Sequence, residues 1–516
     1  MMKKKGFLFL SLLVISIIAL ASIPKSKMTP SEIPERSAAF AASDWSTPVN
    51  ISNTENDSFS PRIGVDSNEK AYVAWVDWTD GPRAIYFNTN KSGQWPSAQR
   101  VHSMVSSSNE AAFPALATSP EGICHLIFHD VVESFDILYY QYNNGWSSAA
   151  NVSQTPEGGS VYSTLALSPT DNYLYAIWMD DAVNIWDLMY RYKNPDTNEW
   201  EVRDIISLFG GMQYMPSATV DGKGTLHLVF ITRDDGNSTV WYVKNPQPRN
   251  NSQWTQPAPV SVNVGVEWSY PKIACDDNGD VYIVWNGTSS QGNRDVFLRK
   301  TVNQIWKDQE NVSLSQDLSE GAAIAVNRST GEFYVGWQEN VGGTNWEVYI
   351  KAFEQERAGA EKKWMSADNI SNNTSVSGWP SIAVAENGDL HVAFIDRTPG
   401  NLDIYYTNRP KIRIYPPTNV TLQTSYNKVL FYTEKINTIT FTKNSANDDE
   451  LVASYKLYRK KAAEGNDQFQ LLATLTPSTF TYDDRQLSLT EKYSYALTTV
   501  DTDGNESKMS DSVTEN

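Results

Sequence analysis

The sequence predicts an all-β protein built from seven copies of one four-stranded unit. The stretch "PRIGVDSNEKAYVAWVDWTDGPRAIYF" from Pro61 aligns without a gap with "PSIAVAENGDLHVAFIDRTPGNLDIYY" from Pro380. Five shorter copies begin between them, at Pro114, Ser163, Pro216, Pro271 and Ala322. A tryptophan recurs in step, 50 to 58 residues apart, at Trp45, Trp95, Trp146, Trp200, Trp254, Trp306 and Trp364. Such repeats are typical of a β-propeller, and we predict a seven-bladed one over residues 45–409.

Each unit is expected to contain four short antiparallel strands. In the last copy "SIAV" is a small apolar run, "LHVAFID" and "LDIYYTN" alternate, and the tryptophan opens the fourth strand of a unit. The last copy ends at Asn408 without a fourth strand, whereas "WSTPVNIS" from Trp45 precedes the first copy. We therefore predict that the N-terminal strand completes the last blade, which closes the ring and removes an exposed sheet edge.

The N-terminus has the features of a secretory signal peptide over residues 1–21. Three lysines precede an apolar run, and Ala19-Leu20-Ala21 forms a cleavage site. An uncleaved membrane anchor is the alternative, but the apolar run from Gly6 to Ala21 is shorter than the roughly 20 residues that span a bilayer. We predict a linker over residues 22–44, no transmembrane span after cleavage, and a secreted, cell-surface or periplasmic location.

Residues 411–516 have a different, threonine-rich pattern without tryptophan. "PPTNVTLQ" opens the segment, Tyr493 follows Leu487 by six residues, and "YSYALTTV" runs into Asp503-Gly504-Asn505. These features resemble a fibronectin type III domain, in which the Leu–Tyr spacing belongs to the tyrosine corner. The resemblance implies a β-sandwich, with Phe441 standing where that family usually has a tryptophan.

The net charge limits the kinds of binding partner, and the positions of the cysteines bear on disulfide bonding. The formal net charge is −18, and it becomes −21 when the three lysines of the signal are removed. This acidic balance excludes a nucleic-acid partner, which requires a basic surface, and favours a soluble monomer. Cys124 and Cys275 fall in the second and fifth repeats, so we expect two buried free thiols and no disulfide.

Two sets of side chains are predicted to meet at one axial face of the propeller. Aromatic residues enter the innermost strands at Phe59, Phe113, Tyr162, Tyr214, Trp268, Tyr270 and Trp379. Charged residues leave the second strands at Asp77, Asp130, Asp180, Arg233, Asp234, Glu339, Asp396 and Arg397, and Arg62 stands in the first innermost strand. Aromatic rings beside carboxylates and guanidinium groups suit a sugar. The alternative is structural, because a residue that recurs in every blade also caps turns or fills the gap between sheets.

Other polar patterns favour structural roles. His125, His227 and His391 share a repeat position with tyrosines of other blades, so we interpret them as packing residues rather than metal ligands. "N-[VI]-S" recurs at Asn50, Asn151, Asn311 and Asn369, where we expect it to cap a strand end rather than to carry a glycan. We predict no metal and no cofactor.

The blade phrase resembles the sialidase-type (BNR or Asp-box) propeller superfamily over residues 45–409. That family carries the box S-x-D-x-G-x-T-W before the fourth strand. Here the equivalent turns, such as "NKSGQW" ending at Trp95, keep the tryptophan but not the whole box. The resemblance would imply an arginine triad, for which Arg62, Arg233 and Arg397 are candidates, and a tyrosine activated by a glutamate such as Glu267.

Two functions follow from this resemblance. The first is an exported, non-catalytic propeller that binds a glycan or an extracellular protein at the axial face. The alternative is a sialidase-like glycoside hydrolase acting on extracellular glycans. Because no catalytic motif of sialidases is matched and the loops between repeats are short, we favour binding, and we assign no catalytic residue.

Overall fold

The computed structural model describes residues 45–515, with gaps at 80–82, 105–112, 132–134, 156–157, 183–185, 202, 207–210, 235–236, 262–269, 290–291, 356–360, 412–413, 446, 448, 466–467, 486, 503, 505 and 508. The predicted signal peptide and linker lie outside the described residues. The chain forms two compact units, one of which ends at Pro410. The other comprises Lys411–Asn516 together with Glu354–Lys363.

In the described residues, the first unit contains seven antiparallel sheets, I to VII in chain order. Sheet I contains Ser58–Val65, Ala71–Asp77, Ala84–Thr89 and Gln99–Ser103. Sheet II contains Ala115–Thr118, Cys124–Val131, Phe135–Tyr142 and Ala150–Asn151. Sheet III contains Ser160–Leu167, Leu174–Asp180, Asp187–Lys193 and Asp204–Ile206. Sheet IV contains Gln213–Val220, Leu226–Asp234, Asn237–Asn245 and Ala258–Pro259.

The remaining three sheets follow the same pattern. Sheet V contains Lys272–Cys275, Val281–Thr288, Arg294–Val302, Ile305–Trp306 and Glu310–Asn311. Sheet VI contains Ser319–Val326, Phe333–Val341, Asn345–Gln355 and Lys362–Asn369. Sheet VII contains Ser377–Val384, Leu390–Asp396, Asp403–Arg409 and the N-terminal strand Val49–Asn50. The first strands contact one another in order from sheet I to sheet VII and back to sheet I. This closed ring of sheets is a β-propeller.

The N-terminal strand pairs with the last strand of sheet VII, as the sequence predicts. Val49 lies opposite Tyr406, and the amide of Ile51 donates to the carbonyl of Ile404 at 2.8 Å. Ile51 is buried, whereas Val49 on the same segment is exposed. The segment therefore supplies both backbone hydrogen bonds and core packing to the last sheet.

The regularly spaced tryptophans pack between sheets. In most sheets the tryptophan lies in the turn before the fourth strand and not at its start, which corrects our expectation; Trp95, for example, precedes the strand that begins at Gln99. The ring of Trp146 meets Phe87 of the preceding sheet at 4.9 Å and 85°, and Trp200 meets Tyr139 at 5.3 Å and 84°. Edge-to-face contacts of this kind add to the free energy of burial. They explain why the tryptophans recur at the period of the repeat.

The "N-[VI]-S" motif caps a turn, as expected. The Oδ1 atom of Asn50 accepts the backbone amide of Asn53 at 2.8 Å, and the other three copies repeat this contact at Gln154, Leu314 and Asn372. The serine of the motif donates to an acid of the third strand, as Ser52 does to Asp403 at 2.7 Å. Because Asn50 Nδ2 also donates to Asp403, the amide that a glycan would modify is engaged in the fold.

The cysteines and the recurrent histidines are internal. Cys124 and Cys275 are buried and unpaired, as predicted. His227 and His391 are buried, and each Nδ1 lies 2.7–2.8 Å from the hydroxyl of a tyrosine on the neighbouring strand. Burial lowers the pKa of His391 to about 4. His391 therefore packs as a neutral side chain, whereas His227 Nε2 lies 3.1 Å from Asp221 Oδ2.

The second unit contains two antiparallel sheets. One consists of Thr418–Val429, Tyr432–Thr442 and Thr481–Asp484, and the other of Gln470–Leu475, Val452–Lys461, Tyr493–Asp501 and Val513–Thr514. Residues of both sheets, including Ile439, Phe441, Tyr455 and Leu497, share one buried cluster. The amide of Ser488 donates to the hydroxyl of Tyr493 at 3.4 Å.

Helical structure is almost absent from the described residues, where the single helical element is the short 3-10 helix Asn251–Gln253. Within the described ranges, no helix has the length and apolar character needed to traverse a bilayer.

Shortening the buried residue of the closing segment should destabilise the propeller. Ile51→Ala removes buried methyl groups, so we expect the free energy of unfolding to fall by about 2–4 kcal/mol. Val49→Ala, on the same segment but 45% exposed, should cost less than about 1 kcal/mol. Urea unfolding of both variants measures the difference, and equal effects would contradict a closing role for this segment.

Candidate functional site

A cavity of about 380 Å³ lies on the axis of the propeller. The first strands of all seven sheets contribute to its wall, so it is the place where the whole repeat converges. Its volume is in the range of small-molecule sites. It is therefore the candidate functional site.

A β-bulge interrupts the first strand of five sheets where that strand passes the cavity. The pairing of first and second strands shifts register at the same place in sheets I, III, IV, VI and VII. The bulge residue has a positive φ of 51° at Tyr162, 54° at Met215 and 51° at Trp379, all of which line the cavity. Such backbone costs about 1 kcal/mol or more for a non-glycine residue and is concentrated at functional sites. The strain repeats around the cavity wall.

The bulge divides the predicted aromatic residues between two repeat positions. Phe113, Tyr162, Tyr270 and Trp379 share the repeat position at which Tyr162 and Trp379 form a bulge, and all four line the cavity. Phe59 lies one residue earlier in its strand; it also lines the cavity and packs on Trp78 with 5.1 Å between ring centroids.

Tyr214 also precedes its bulge residue and is absent from the cavity wall, where Met215 takes its place. Trp268 lies outside the described residues. At the repeat position of Tyr162 and Trp379, sheets I and VI carry the small residues Ser60 and Gly321.

Phe113, Tyr162, Tyr270 and Trp379 form one cluster of aromatic rings across the axis. Ring centroids are 4.8 Å apart for Phe113 and Tyr162, 6.2 Å for Phe113 and Tyr270, and 6.5 Å for Tyr270 and Trp379. Phe113 and Tyr162 belong to consecutive repeats, whereas the contacts of Tyr270 with Phe113 and Trp379 join repeats that are not neighbours in the chain. Burial raises the pKa of Tyr270 well above its ordinary value, which keeps its hydroxyl neutral.

Two cations stand in this aromatic wall. Arg62 and Lys272 occupy the same repeat position, two residues after the bulge, where the other sheets carry Ala115, Thr164, Ser217, Ala323 and Ser381. Both line the cavity. In the described part of the chain neither has an ion-pair partner, and Arg62 Nη1 donates to the carbonyl of Pro61 at 2.8 Å. Arg62 was predicted from the sequence and Lys272 was not, although the repeat position that they share was a signal for it.

The protein environment lowers the pKa of both cations. Burial lowers the pKa of Arg62 to about 10. Burial, followed by repulsion from Arg62, lowers the pKa of Lys272 to about 7. The cavity therefore holds a permanent positive charge beside one that titrates near neutral pH.

Arg294 of sheet V and Glu320 of sheet VI form another part of the wall, and Gln338 lies behind them. Arg294 Nη1 donates to Glu320 Oε2 at 2.7 Å, and Gln338 Nε2 donates to Glu320 Oε1 at 3.1 Å. Gln338 Oε1 accepts the amide of Trp379 at 2.9 Å, which connects this cluster to the aromatic wall. None of these three side chains was predicted from the sequence, since none recurs in the repeat.

The recurrent acids do not line the cavity. Asp77, Asp130, Asp180, Glu339 and Asp396 are all buried inside the blades. Asp180 accepts from Ser160 Oγ at 2.8 Å, from Trp178 Nε1 at 3.0 Å and from the amide of Ala182 at 3.0 Å. Because side chains two residues apart on a strand share a face, the acid lies on the same side of the sheet as the buried tryptophan.

The other acids have comparable partners. Asp77 accepts from Ser58 and Trp75, Glu339 from Ser319 and Trp337, and Asp396 from Ser377 and Asn373. Asp130 lies 2.7 Å from His102 Nε2. The serine that begins the first strand and the tryptophan two residues before the acid were the signals for this role.

The remaining predicted site residues are also outside the cavity wall. Arg233 is exposed and lies close enough to Tyr214 to oppose the rise that burial causes in the tyrosine pKa. Arg397 is half-buried, and its amide donates to the carbonyl of Val376 at 3.0 Å. The side chain of Asp234 lies outside the described residues. The proposed triad of Arg62, Arg233 and Arg397 is thus not assembled in the cavity.

Comparison with known proteins yields similarity of structure alone. No family model matches the chain, and no curated protein matches it in sequence. The polysaccharide lyase Uly1 is 10% identical, with a TM-score of 0.47, over 74% of this chain and 94% of that one. An α-L-arabinanase of Penicillium chrysogenum is 15% identical, with a TM-score of 0.42, over 64% of this chain and 99% of that one.

A sialidase of Trypanosoma rangeli is 10% identical, with a TM-score of 0.39, over 89% of this chain and 88% of that one. All three scores are below 0.5, so the substrates and activities of these proteins are not transferred to this chain.

Metal ligands are not grouped in the described ranges, where no three His, Cys, Asp or Glu side chains are placed to hold an ion.

Removing one recurrent acid should destabilise its blade. Asp180→Ala leaves Ser160 and the indole of Trp178 without their buried acceptor, so we expect unfolding to be easier by about 3 kcal/mol. Asp196→Ala, an exposed acid of the same sheet's outer turn, should change the stability by less than about 0.5 kcal/mol. Urea unfolding measures both, and a stable Asp180→Ala protein would contradict the structural role.

Replacing Lys272 should change how stability depends on pH. The folded protein binds fewer protons than the unfolded chain between pH 7 and 10.5, because the pKa of Lys272 falls from 10.5 to about 7 on folding. Stability from this group therefore rises with pH across that window. Lys272→Met should be more stable than the wild type near pH 7, and the difference should shrink as pH rises towards 10.5.

Urea unfolding at several pH values across this window measures the effect. The exposed Lys91→Met substitution is the control and should leave the pH profile unchanged. A constant difference between Lys272→Met and the wild type would contradict a desolvated lysine in the cavity.

Proposed function

We propose that this protein is an exported, non-catalytic, seven-bladed β-propeller that binds an acidic glycan in its axial cavity. The observation that carries the proposal is the placement of Arg62 and Lys272. Five of seven sheets keep a small residue at this position, and the two long cations both line the cavity.

The two cations are arranged as an anion site. Placing like charges together in a desolvated cavity without a counter-charge costs free energy, as the lowered pKa of Lys272 indicates. A carboxylate or sulfate of a ligand supplies the missing charge, and a guanidinium can donate two hydrogen bonds to it. The positive site is also local, because the chain as a whole carries a net charge of −18.

The surrounding wall suits a sugar ring. Phe113, Tyr162, Tyr270 and Trp379 present aromatic surface on which the apolar face of a pyranose stacks. Asn286, Ser163 and Glu320 also line the cavity and offer polar groups for the hydroxyls of a sugar. A glycan with an acidic group satisfies both halves of the wall at once, which a neutral sugar or a simple anion does not.

Binding is favoured over hydrolysis. A glycosidase of the common type needs two carboxyl groups about 5 to 10 Å apart. Among the described residues of the wall, Glu320 supplies the only carboxylate, and it is paired with Arg294 at 2.7 Å. Glu267, the residue considered as the partner of a nucleophilic tyrosine, lies outside the described residues.

The rest of the proposal concerns the architecture around the site. We assign one blade to each of sheets I to VII, which gives seven blades over residues 45–409. We assign residues 411–516 to a fibronectin type III domain, which the three- and four-stranded sheets and the Ser488–Tyr493 hydrogen bond support. The signal-like residues 1–21 support export, and we propose a monomer in solution.

A glycan array with the chain from residue 22 onward tests the function. Uronate-containing or sulfated glycans should bind, whereas neutral glycans of the same length should not. Arg62→Met and Lys272→Met should each weaken binding about tenfold or more, since a hydrogen bond to a charged group contributes about 1.5–3 kcal/mol. Trp379→Ala should also weaken binding, because it removes a stacking surface.

The control and the pH dependence separate this site from general charge effects. Arg249→Met removes one exposed positive charge outside the cavity and should leave affinity unchanged. Wild-type affinity should fall as pH rises through about 7, where Lys272 loses its charge, and Lys272→Met should lack this step. Equal binding of neutral glycans, or full binding by Arg62→Met, would contradict the proposal, and release of shortened products from a bound glycan would favour the hydrolase.

A further inference from the structure

A hairpin of the second unit carries an apolar tip. The strands Thr418–Val429 and Tyr432–Thr442 are joined by the two residues Leu430 and Phe431. Phe431 is 95% exposed and Leu430 is 89% exposed, more than any other large hydrophobic side chain in the described part of the chain. Residues at such a turn are usually Gly, Asn or Asp, which provide turn geometry without exposing apolar surface. Turn formation therefore does not explain these two side chains.

The tip extends beyond its own sheet. The third strand of that sheet, Thr481–Asp484, pairs with the hairpin only along residues 437–440. From Tyr426 to Tyr432 every residue is exposed. The two strands nevertheless remain paired up to Val429 and Tyr432, so the tip stands on a hydrogen-bonded ribbon. The apolar surface of the tip is thus held away from the buried cluster of this unit.

Polarity changes in steps along this ribbon. Leu430 and Phe431 form the end, and the pair Val429–Tyr432 follows. The pairs Lys428–Thr433 and Asn427–Glu434 come next and are polar. At about 3.3 Å per residue, the step from the end to Lys428 is roughly 7 Å. Peripheral proteins bury their apolar surface to about this depth, at the boundary of lipid headgroups and acyl chains.

We propose that this tip, residues 429–432, inserts into the surface of a lipid bilayer. A convex wedge with two apolar turn residues requires a complementary groove in a protein partner, whereas a bilayer accommodates it without a preformed shape. The tyrosine at position 432 and the lysine at 428 are side chains that combine an apolar body with a polar end, and such residues favour the membrane–water interface.

The charge of the second unit favours a neutral lipid surface. Residues 411–516 contain twelve basic and fourteen acidic residues, a net charge of −2, compared with −18 for the whole chain. A zwitterionic bilayer does not repel the acidic remainder of the protein, whereas an anionic one does. Attachment through one short tip is weak and reversible, comparable to that of a single acyl chain.

Co-sedimentation with phosphatidylcholine vesicles tests the proposal, with the chain from residue 22 onward. The wild type should bind in proportion to lipid, and sodium chloride at about 0.5 M should not abolish binding, because insertion is apolar and not ionic. The double variant Leu430→Asp/Phe431→Asp should lower the partition coefficient about a hundredfold, since two buried apolar side chains are replaced by charges.

A matched double variant controls for added charge. Leu471→Asp/Leu489→Asp alters two apolar side chains of the same unit that are 53% and 54% exposed, and it should bind vesicles like the wild type. Thermal unfolding checks that each variant is folded. If Asp at the turn lowers the Tm, Leu430→Ser/Phe431→Ser provides the same test and should also weaken binding.

Three results would overturn the proposal. The first is a wild type that fails to bind phosphatidylcholine vesicles, which would direct attention to a protein groove. The second is undiminished binding by the tip variant. The third is a lipid-free dimer, detected by sedimentation velocity, that Leu430→Asp/Phe431→Asp dissociates, because the tip would then be covered by a second copy of this chain.

Discussion

Steric crowding where the first strands meet is the constraint on which the rest of the propeller depends. A β-carbon on Gly64 would lie 2.2 Å from Thr118 Oγ1 of the next sheet, and one on Gly336 would lie 2.8 Å from Ile382 Cδ1. Small residues are therefore required at these contacts between neighbouring sheets. Arg62 and Lys272 instead line the central cavity, at a repeat position where the other five sheets carry alanine, serine or threonine.

The buried acids form hydrogen bonds to residues that lie next to the bulges. Each bulge holds a residue such as Tyr162 or Trp379 in left-handed backbone, which costs free energy that the surrounding structure must offset. The acid at the end of the second strand binds the serine that begins the first strand, as Asp180 binds Ser160 and Asp396 binds Ser377. These hydrogen bonds anchor the strand just before its bulge. In these sheets the acids therefore fix the start of the first strand, next to Tyr162 and Trp379, and do not line the cavity themselves.

Some structural features were predicted correctly from the sequence, and others were not. The repeat predicted the pairing of the N-terminal strand because a tryptophan segment preceded the first unit and the last unit lacked one. It also predicted the capping role of Asn50, since a motif that recurs with the blade serves the blade. The acids were predicted to lie at the axial face. However, Asp77 and Trp75 are two residues apart and share one face of the strand, so the acid lies beside the buried tryptophan. Tyr214 was also predicted to lie at the axial face, since a one-residue bulge cannot be seen in strand periodicity.

The sequence by itself determined the repeat, the strand pattern, the separation of Cys124 from Cys275 and the division of the chain near residue 410. These properties depend on the periodicity and spacing of residues, which can be read from the sequence without knowing which segments meet in space. Only the tertiary structure decided which side chains meet: Arg62 and Lys272 are 210 positions apart in the sequence, and Phe113 and Tyr270 stack across the axis. Ring closure brings these residues together, because it depends on contacts between sheets that no single repeat contains.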